Sequence, residues 1–311
     1  MLTVRVLLDL REHLMAKFDF FDVYSYEKRE ENRLGLELLD DRCNFIESIQ
    51  NIDQKYYELF RGFLAGNVYD YGAQAFIQKQ EKGDLENFNQ AINTIDGKIK
   101  LEFLLKMKFI IENLNFLDRL FEQPGYIELL ENLKNNVYKN IYIFVDNSGF
   151  DIILGVLPFV VELLKTNKTK VILCVNSKAA INDITYSELV ILIKKACLTN
   201  KIINQAYNEN KNLIIFETGS ASPCLDLSRL NLELANLMSS SESNLVILEG
   251  MGRSIHTNYN AKFKCDCLKI AVIKNQWLAN RFGFTNNNEN DTLSNKFPVI
   301  FKFEKYLNTL N

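Results

Sequence analysis

Ile141-Tyr142-Ile143-Phe144-Val145-Asp146-Asn147-Ser148-Gly149 is the stretch whose reading decides the fold. Its first five residues are apolar and rich in β-branching, as a strand covered on both faces must be. Asp146 and Asn147 follow at once, Gly149 supplies a turn, and the apolar run Ile152–Leu164 reads as the next helix. Open α/β sheets built from such units take their ligands at the carboxyl ends of the strands. A second tip lies downstream, where the run Val171–Val175 leads through Asn176 to Asn182-Asp183. Asp146, Asn147 and Asp183, all oxygen-bearing and on neighbouring tips, suit a hard divalent cation. The competing reading is structural, because Asp and Asn also cap helices and make turns. Asp183, just ahead of Tyr186-Ser187-Glu188-Leu189, is open to that reading too.

Outward from this stretch, short apolar strands alternate with helices from about residue 136. The strands expected are Ile141–Val145, Val171–Val175, Leu213–Phe216, Leu245–Leu248, Ile270–Ile273 and Val299–Phe303. That alternation implies an α/β fold with a mostly parallel sheet and helices on both faces. The preceding residues read as helical, over 2–17, 27–39, 43–50, 54–65, 73–80 and 101–121, with a stop at Glu122-Gln123-Pro124-Gly125. The expected division is a helical domain over 1–135 and an α/β domain over 136–311. Asn286–Asp291 is a polar insertion ahead of the last strand.

Composition excludes several classes. The chain has 311 residues, of which 47% are hydrophobic and 24% charged, enough for a substantial core. A net charge of −3 argues against a broad nucleic-acid surface. No run approaches the ~20 apolar residues of a membrane helix. Arg5, Asp9, Arg11 and Glu12 interrupt the amino terminus before a signal peptide's apolar core accumulates. The six cysteines are scattered and lack paired CxxC spacing, which fits reduced thiols in a cytosolic, cytoplasmic protein. With two histidines, His13 and His256, and no GxSxG, nucleophilic hydrolase chemistry is disfavoured. A haloacid-dehalogenase mechanism needs a second Asp two positions after Asp146, where Ser148 stands.

Glu249-Gly250-Met251-Gly252-Arg253 follows another strand. Gly250 and Gly252 let backbone N–H groups approach an anion, and Arg253 offers a fork for phosphate oxygens, although the same residues could form a plain turn. A full GxGxxG is absent. Of Lys262, Lys264, Lys269 and Lys274, only Lys274 ends a strand at this crest. The others read as solvated. Thr218–Pro223 is small and hydroxyl-rich, able to line a pocket or simply to turn the chain.

With those residues in hand, the chain resembles the metal-dependent damage-control phosphatases. It is most similar to the subgroup that forms the carboxyl-terminal domain of a pantothenate kinase homologue and its stand-alone plant relatives. The matching segments include residues 144–164, 181–189, 218–230, 249–259, 268–279 and 298–304, and in the helical part 7–13, 24–32 and 63–73. EGMGR is the subgroup's signature. The resemblance implies a Rossmann-like three-layer α/β/α domain with an N-terminal helical part packed on it. It also implies a divalent metal (Mn, Co, Ni or Mg) on Asp146, Asn147 and Asp183, and phosphate-monoester hydrolysis. The substrate implied is a small phosphorylated metabolite, 4'-phosphopantetheine and its oxidised or S-sulfonated forms. Asn67 and Asp70 map near the site. Val161 stands where relatives often have Arg, and Lys178-Ala179 where they commonly carry Pro, so that Lys178 is placed to reach a pocket mouth.

The expected chemistry uses Asp146 as metal ligand or as nucleophile, with Arg253, Gly250, Gly252 and Lys274 balancing phosphoryl charge. Sugar-phosphate hydrolysis and S-adenosylmethionine-dependent carboxyl methylation are the alternative activities, and metabolite sensing on an inert fold is the non-enzymatic one. The aromatic residues Tyr56, Tyr57, Phe60 and Phe63 fit either a homo-oligomer interface or packing on the α/β domain.

Overall fold

The structure is a computed structural model that describes residues 3–68, 123–239, 244–283 and 298–307. Asp70, the helices expected over 73–80 and 101–121, and the Asn286–Asp291 insertion lie outside these residues.

Six strands form one sheet: β1 (Asn140–Phe144), β2 (Lys170–Val175), β3 (Leu213–Glu217), β4 (Asn244–Glu249), β5 (Asp266–Val272) and β6 (Val299–Glu304). Their order is β3-β2-β1-β4-β5-β6, with β1 to β5 mutually parallel and β6 antiparallel to β5. The order reverses between β1 and β4, and the crevice outside such a reversal is where open sheets hold ligands.

Both faces of the sheet are covered. Along β1, Ile141 and Ile143 join the larger core cluster, while Tyr142 and Phe144 join the cluster on the opposite face. The larger cluster takes in helices α2 (Ser25–Ser48) and α3 (Ile52–Val68), then α4 (Tyr126–Lys134), α5 (Leu157–Leu164) and α6 (Tyr186–Ala196). The first helix, α1 (Val4–Lys17), buries no residue. On the other face lie Leu225 and Leu234, the latter on α8 (Leu232–Ser239); α7 (Lys201–Asn204) precedes β3 and α9 (Gln276–Arg281) follows β5.

The helical residues at the amino end pack directly on the α/β part. Tyr56, Phe60 and Phe63 of α3 surround Phe159 of α5 at ring-centroid distances of 6.4, 5.5 and 5.8 Å. These aromatics, with Tyr57, are core residues, so they present no surface to a second copy.

Three local expectations are corrected. The helices expected over 27–39 and 43–50 are one, because Asp40 and Asp41 lie within a continuous α2. β5 begins at Asp266, four residues before the expected start. Lys269 therefore lies inside it rather than in solvent. It is fully buried, pairs with Glu304 and donates to the carbonyls of Tyr259 at 2.9 Å and Ala261 at 2.8 Å.

Candidate active site

Strand β1 delivers Asp146 and Asn147 to the crest, at the order reversal, and neither caps a helix. The next helical residues begin with a π-helical segment, Asp151–Val156, which has no side-chain cap and continues into α5. Asp183 is not a cap either. The N-cap of α6 is Thr185, whose side chain forms a capping box with Glu188. The helix-capping explanation of both tips is thereby removed, although both still lie at turns.

The two tips are stitched together by backbone. Ser148 N donates to Asn182 O at 3.0 Å, Ile184 N donates to Asp146 O at 3.2 Å, and Asn147 and Asp183 form an isolated β-bridge. Asp146, Asn147 and Asp183 thus converge in the protein interior, at 8%, 2% and 2% exposure.

Arg253 binds both acids. It pairs with Asp146 through Nη1 and with Asp183 through Nη2 at 2.8 Å. Burial alone would lower the guanidinium's affinity for its proton, but Asp183 and Asp146 outweigh burial and raise it. Its fork is spent on these carboxylates, where the sequence suggested phosphate oxygens. Gly250 lies against the same site, since a Cβ there would sit 2.1 Å from Asp146 Oδ2. A Cβ on Gly252 would sit 2.1 Å from the carbonyl oxygen of Pro223, so this glycine permits close packing of the Thr218–Pro223 loop.

Two further carboxylates complete the cluster. Asp151, at 1% exposure, accepts from Asn147 Nδ2 at 2.8 Å and from Asn67 Nδ2 at 3.1 Å. Asn67 Nδ2 also reaches Asp146 Oδ2 at 3.1 Å, which brings α3 into the site. Glu249, ending β4 at 1% exposure, accepts from Asp146 N at 3.2 Å and lies within hydrogen-bonding reach of Asp151. Burial first, and then the charge of Asp146, pushes the Asp151 carboxyl up to about 6. Burial and the charge of Asp151 push Glu249 well above the usual carboxylate range. Lys274 lies within electrostatic reach of Asp151 and opposes its rise.

Sequence reasoning missed Asp151 and assigned no role to Glu249. The only signal was position, an acid four or five residues beyond one strand tip and an acid ending another.

The donor chemistry fits a hard cation. Asp151 Oδ1, Glu249 Oε1, Asn67 Oδ1 and Ser148 Oγ are buried without a hydrogen-bond partner among the described residues. Buried polar atoms in folded proteins are otherwise nearly always satisfied. Among the described residues no three His, Cys, Asp or Glu side chains are arranged as a ready-made chelate, and the set here mixes acids with amides.

A cavity of about 750 Å3 lies between α1 and the loops after β2 and β3, and none of Asp146, Asn147, Asp151, Asp183, Glu249 or Arg253 lines it. Lys178 and Thr218–Ser222 line it, so this loop does form a pocket wall. The exposed His13 lines it from α1.

A sequence profile of the damage-control phosphatase ARMT1-like domain matches residues 2–289. The chain belongs to this family. It is similar to a mouse protein named 4'-phosphopantetheine phosphatase, 36% identical over 350 residues and covering 97% of this chain but 38% of that protein. It is also similar to an Arabidopsis thaliana damage-control phosphatase, 35% identical over 308 residues and covering 95% of this chain and 71% of that protein. A rice relative named pantothenate kinase 2 is 33% identical and is spanned over 32% of its length. The chain therefore spans about a third of the mouse and rice relatives. A DUF89 family protein from Pyrococcus horikoshii shares the fold, with a TM-score of 0.51 at 16% identity over 84% of this chain and 72% of that one. Within this damage-control phosphatase family member, the matched region includes every site residue named above.

Proposed function

We propose that this chain is a divalent-metal-dependent phosphomonoesterase acting on a small phosphorylated metabolite. The observation that carries the reading is an imbalance of charge at the switch point. Asp146, Asp151, Asp183 and Glu249 are buried together around one buried guanidinium, and two of their oxygens, Asp151 Oδ1 and Glu249 Oε1, lack partners among the described residues. Burying carboxylates this way is costly unless a cation compensates them.

Asp146, Asn147 and Asp183 would hold the cation, with Asp151 and Glu249 adding oxygen donors behind them. Bound there, a divalent ion would supply Lewis acidity toward a phosphoryl oxygen. Lys274 would balance the charge that accumulates on the transferring phosphoryl group. Arg253, whose fork pairs with Asp146 and Asp183, would contribute its positive charge to the site from behind those carboxylates. Burial and then the charge of Asp146 raise Asp151, against a hydrogen bond with Glu249 that lowers it. Burial and the charge of Asp151 raise Glu249, so that this pair of acids favours retaining a proton. Asn67 fixes the orientation of the Asp146 and Asp151 carboxylates by donating to both. Burial excludes water from this cluster, which strengthens each of these electrostatic contacts.

The finer assignment, to 4'-phosphopantetheine and its oxidised or S-sulfonated forms, is supported by the similarity to the mouse protein of that name. Mn, Co, Ni and Mg all suit the oxygen-rich donor set.

The test is phosphate release from 4'-phosphopantetheine by metal-stripped protein, with single metals added back. Release that requires metal, and that Asp146→Ala or Asp183→Ala abolishes while the protein stays folded, is the expected result. Retained turnover in either variant at saturating metal would falsify the assignment of these residues.

A further inference from the structure

The Asp183 tip is strained. Ile181, two residues before it, has φ +48°, a left-handed conformation that β-branched residues rarely adopt. Such backbone persists only where surrounding bonds over-determine it. Asn176 supplies one of those bonds, because its Nδ2 donates to Asp183 Oδ2 at 2.9 Å. The same Nδ2 donates to Ser222 O at 3.0 Å, in the loop after β3. Asn176 itself is 3% exposed, and its carbonyl accepts from Tyr186 N, at the start of α6. A neutral amide thus shares Asp183 Oδ2 with the Arg253 guanidinium, and the two donors together fix the carboxylate.

Ser222 continues the chain outward. Its hydroxyl donates to Asp9 Oδ1 on α1 and accepts from Cys224 N at 3.0 Å. A second polar clasp, Arg5 to Asp226 on the same loop, fastens α1 nearby. Since α1 buries none of its residues, polar contacts of this kind set where it sits. Bonds therefore run without a gap from Asp9 through Ser222 and Asn176 to Asp183, and from there through Arg253 to Asp146.

We propose that Asn176 is a positioning residue for Asp183, and that Ser222 and Asp9 carry the seating of α1 to it. The proposal rests on the metal-site reading of Asp183 for its consequence, and on the hydrogen-bond chain for its geometry. Outer partners of a ligating carboxylate set its aim, and losing one weakens metal binding about 10- to 100-fold.

The experiment uses the full chain stripped of metal. Mn2+ is titrated into it, and amide hydrogen exchange is followed across Asn182–Thr185 without metal. Asn176→Ala is expected to weaken Mn2+ binding by about tenfold or more, to speed exchange at this tip, and to lower kcat more than it changes KM. Asp9→Ala should shift exchange and affinity the same way by less, and should add nothing in the Asn176→Ala background, because its effect runs through the missing amide. Should Asn176→Ala not fold, the near-isosteric Asn176→Asp keeps the volume, loses the donor and gives the same exchange readout. Wild-type exchange and Mn2+ affinity in the Asn176 variants would overturn the proposal. An Asp9→Ala effect of equal size in both backgrounds would overturn the part played by α1. If the wild-type chain binds no Mn2+, the metal reading falls while hydrogen exchange still decides the positioning role.

Discussion

Gly250 has φ +81° and ψ 162°, a combination essentially reserved for glycine. The structure shows why no side chain fits there, since its Cβ would sit 2.1 Å from Asp146 Oδ2. Gly250→Ala is therefore expected to lose about 1–3 kcal/mol of stability from backbone strain and to lose the proposed phosphatase activity through the displaced carboxylate. Urea unfolding and phosphate release measure the two effects separately, and a stable variant with wild-type turnover would remove Gly250 from the site. The sequence marked Gly250, Gly252 and Arg253 at a strand end but not what they touch, since Arg253 pairs with two carboxylates and Gly252 packs against Pro223. Asp151 was not, because an acid opening an apolar helix also reads as a complement to the helix dipole. Only the tertiary structure shows that this acid faces the cluster and is buried against Asn67 and Asn147.

At the scale of elements, the strands of the α/β part were read closely because buried parallel strands are nearly pure apolar runs. Direction was harder. The run Val299–Phe303 carries no mark that β6 is antiparallel, and the expected start of β5 missed Lys269, a charge inside an apolar strand. That lysine is tolerated because β6 brings Glu304 to it, and Lys262 and Lys302 gather on the same carboxylate. Burial alone would raise the Glu304 carboxyl, but hydrogen bonds from the three lysines outweigh it and hold the group down at about 2. A depressed carboxylate stabilises the fold above its unfolded value of about 4.3, and that contribution is lost as the pH falls toward 2. Glu304→Gln leaves Lys269 buried without its counter-charge. It should cost about 3 kcal/mol at pH 7, the low end for buried pairs because Glu304 is partly exposed. The gap between wild type and variant should narrow below about pH 4 in urea titrations. A gap of constant size across that range would mean that packing, and not the ion pairs, ties β6 to β5.

The molecule as a whole sets its stability against its site. Core packing is continuous from α2 and α3 into the sheet, which makes a firm frame, and into that frame four carboxylates are buried beside one guanidinium. Their expected convergence was legible for Asp146, Asn147 and Asp183, which stand at strand tips. The cost of holding them together was not, because it depends on burial that no spacing reveals. Asp151 measures that cost. Its carboxyl is raised to about 6 in the fold, by burial and then by Asp146, against an unfolded value of about 3.9. A raised carboxylate destabilises the fold where it is ionised, so the metal-free protein should lose stability as the pH rises from about 4 to 6. Asp151→Asn removes the charge, while its Oδ1 can still accept from Asn67 and Asn147. In the absence of metal the variant should be more stable than wild type by about 1–3 kcal/mol at pH 7, with the difference fading toward pH 4. Metal should reverse the comparison, because Mn2+ at about a hundred times its Kd adds about 2.7 kcal/mol to whichever form binds it, and wild type binds it better. A variant that is less stable than wild type at pH 7 without metal would show instead that hydrogen bonds already satisfy Asp151, and that the buried charge is not waiting for a cation.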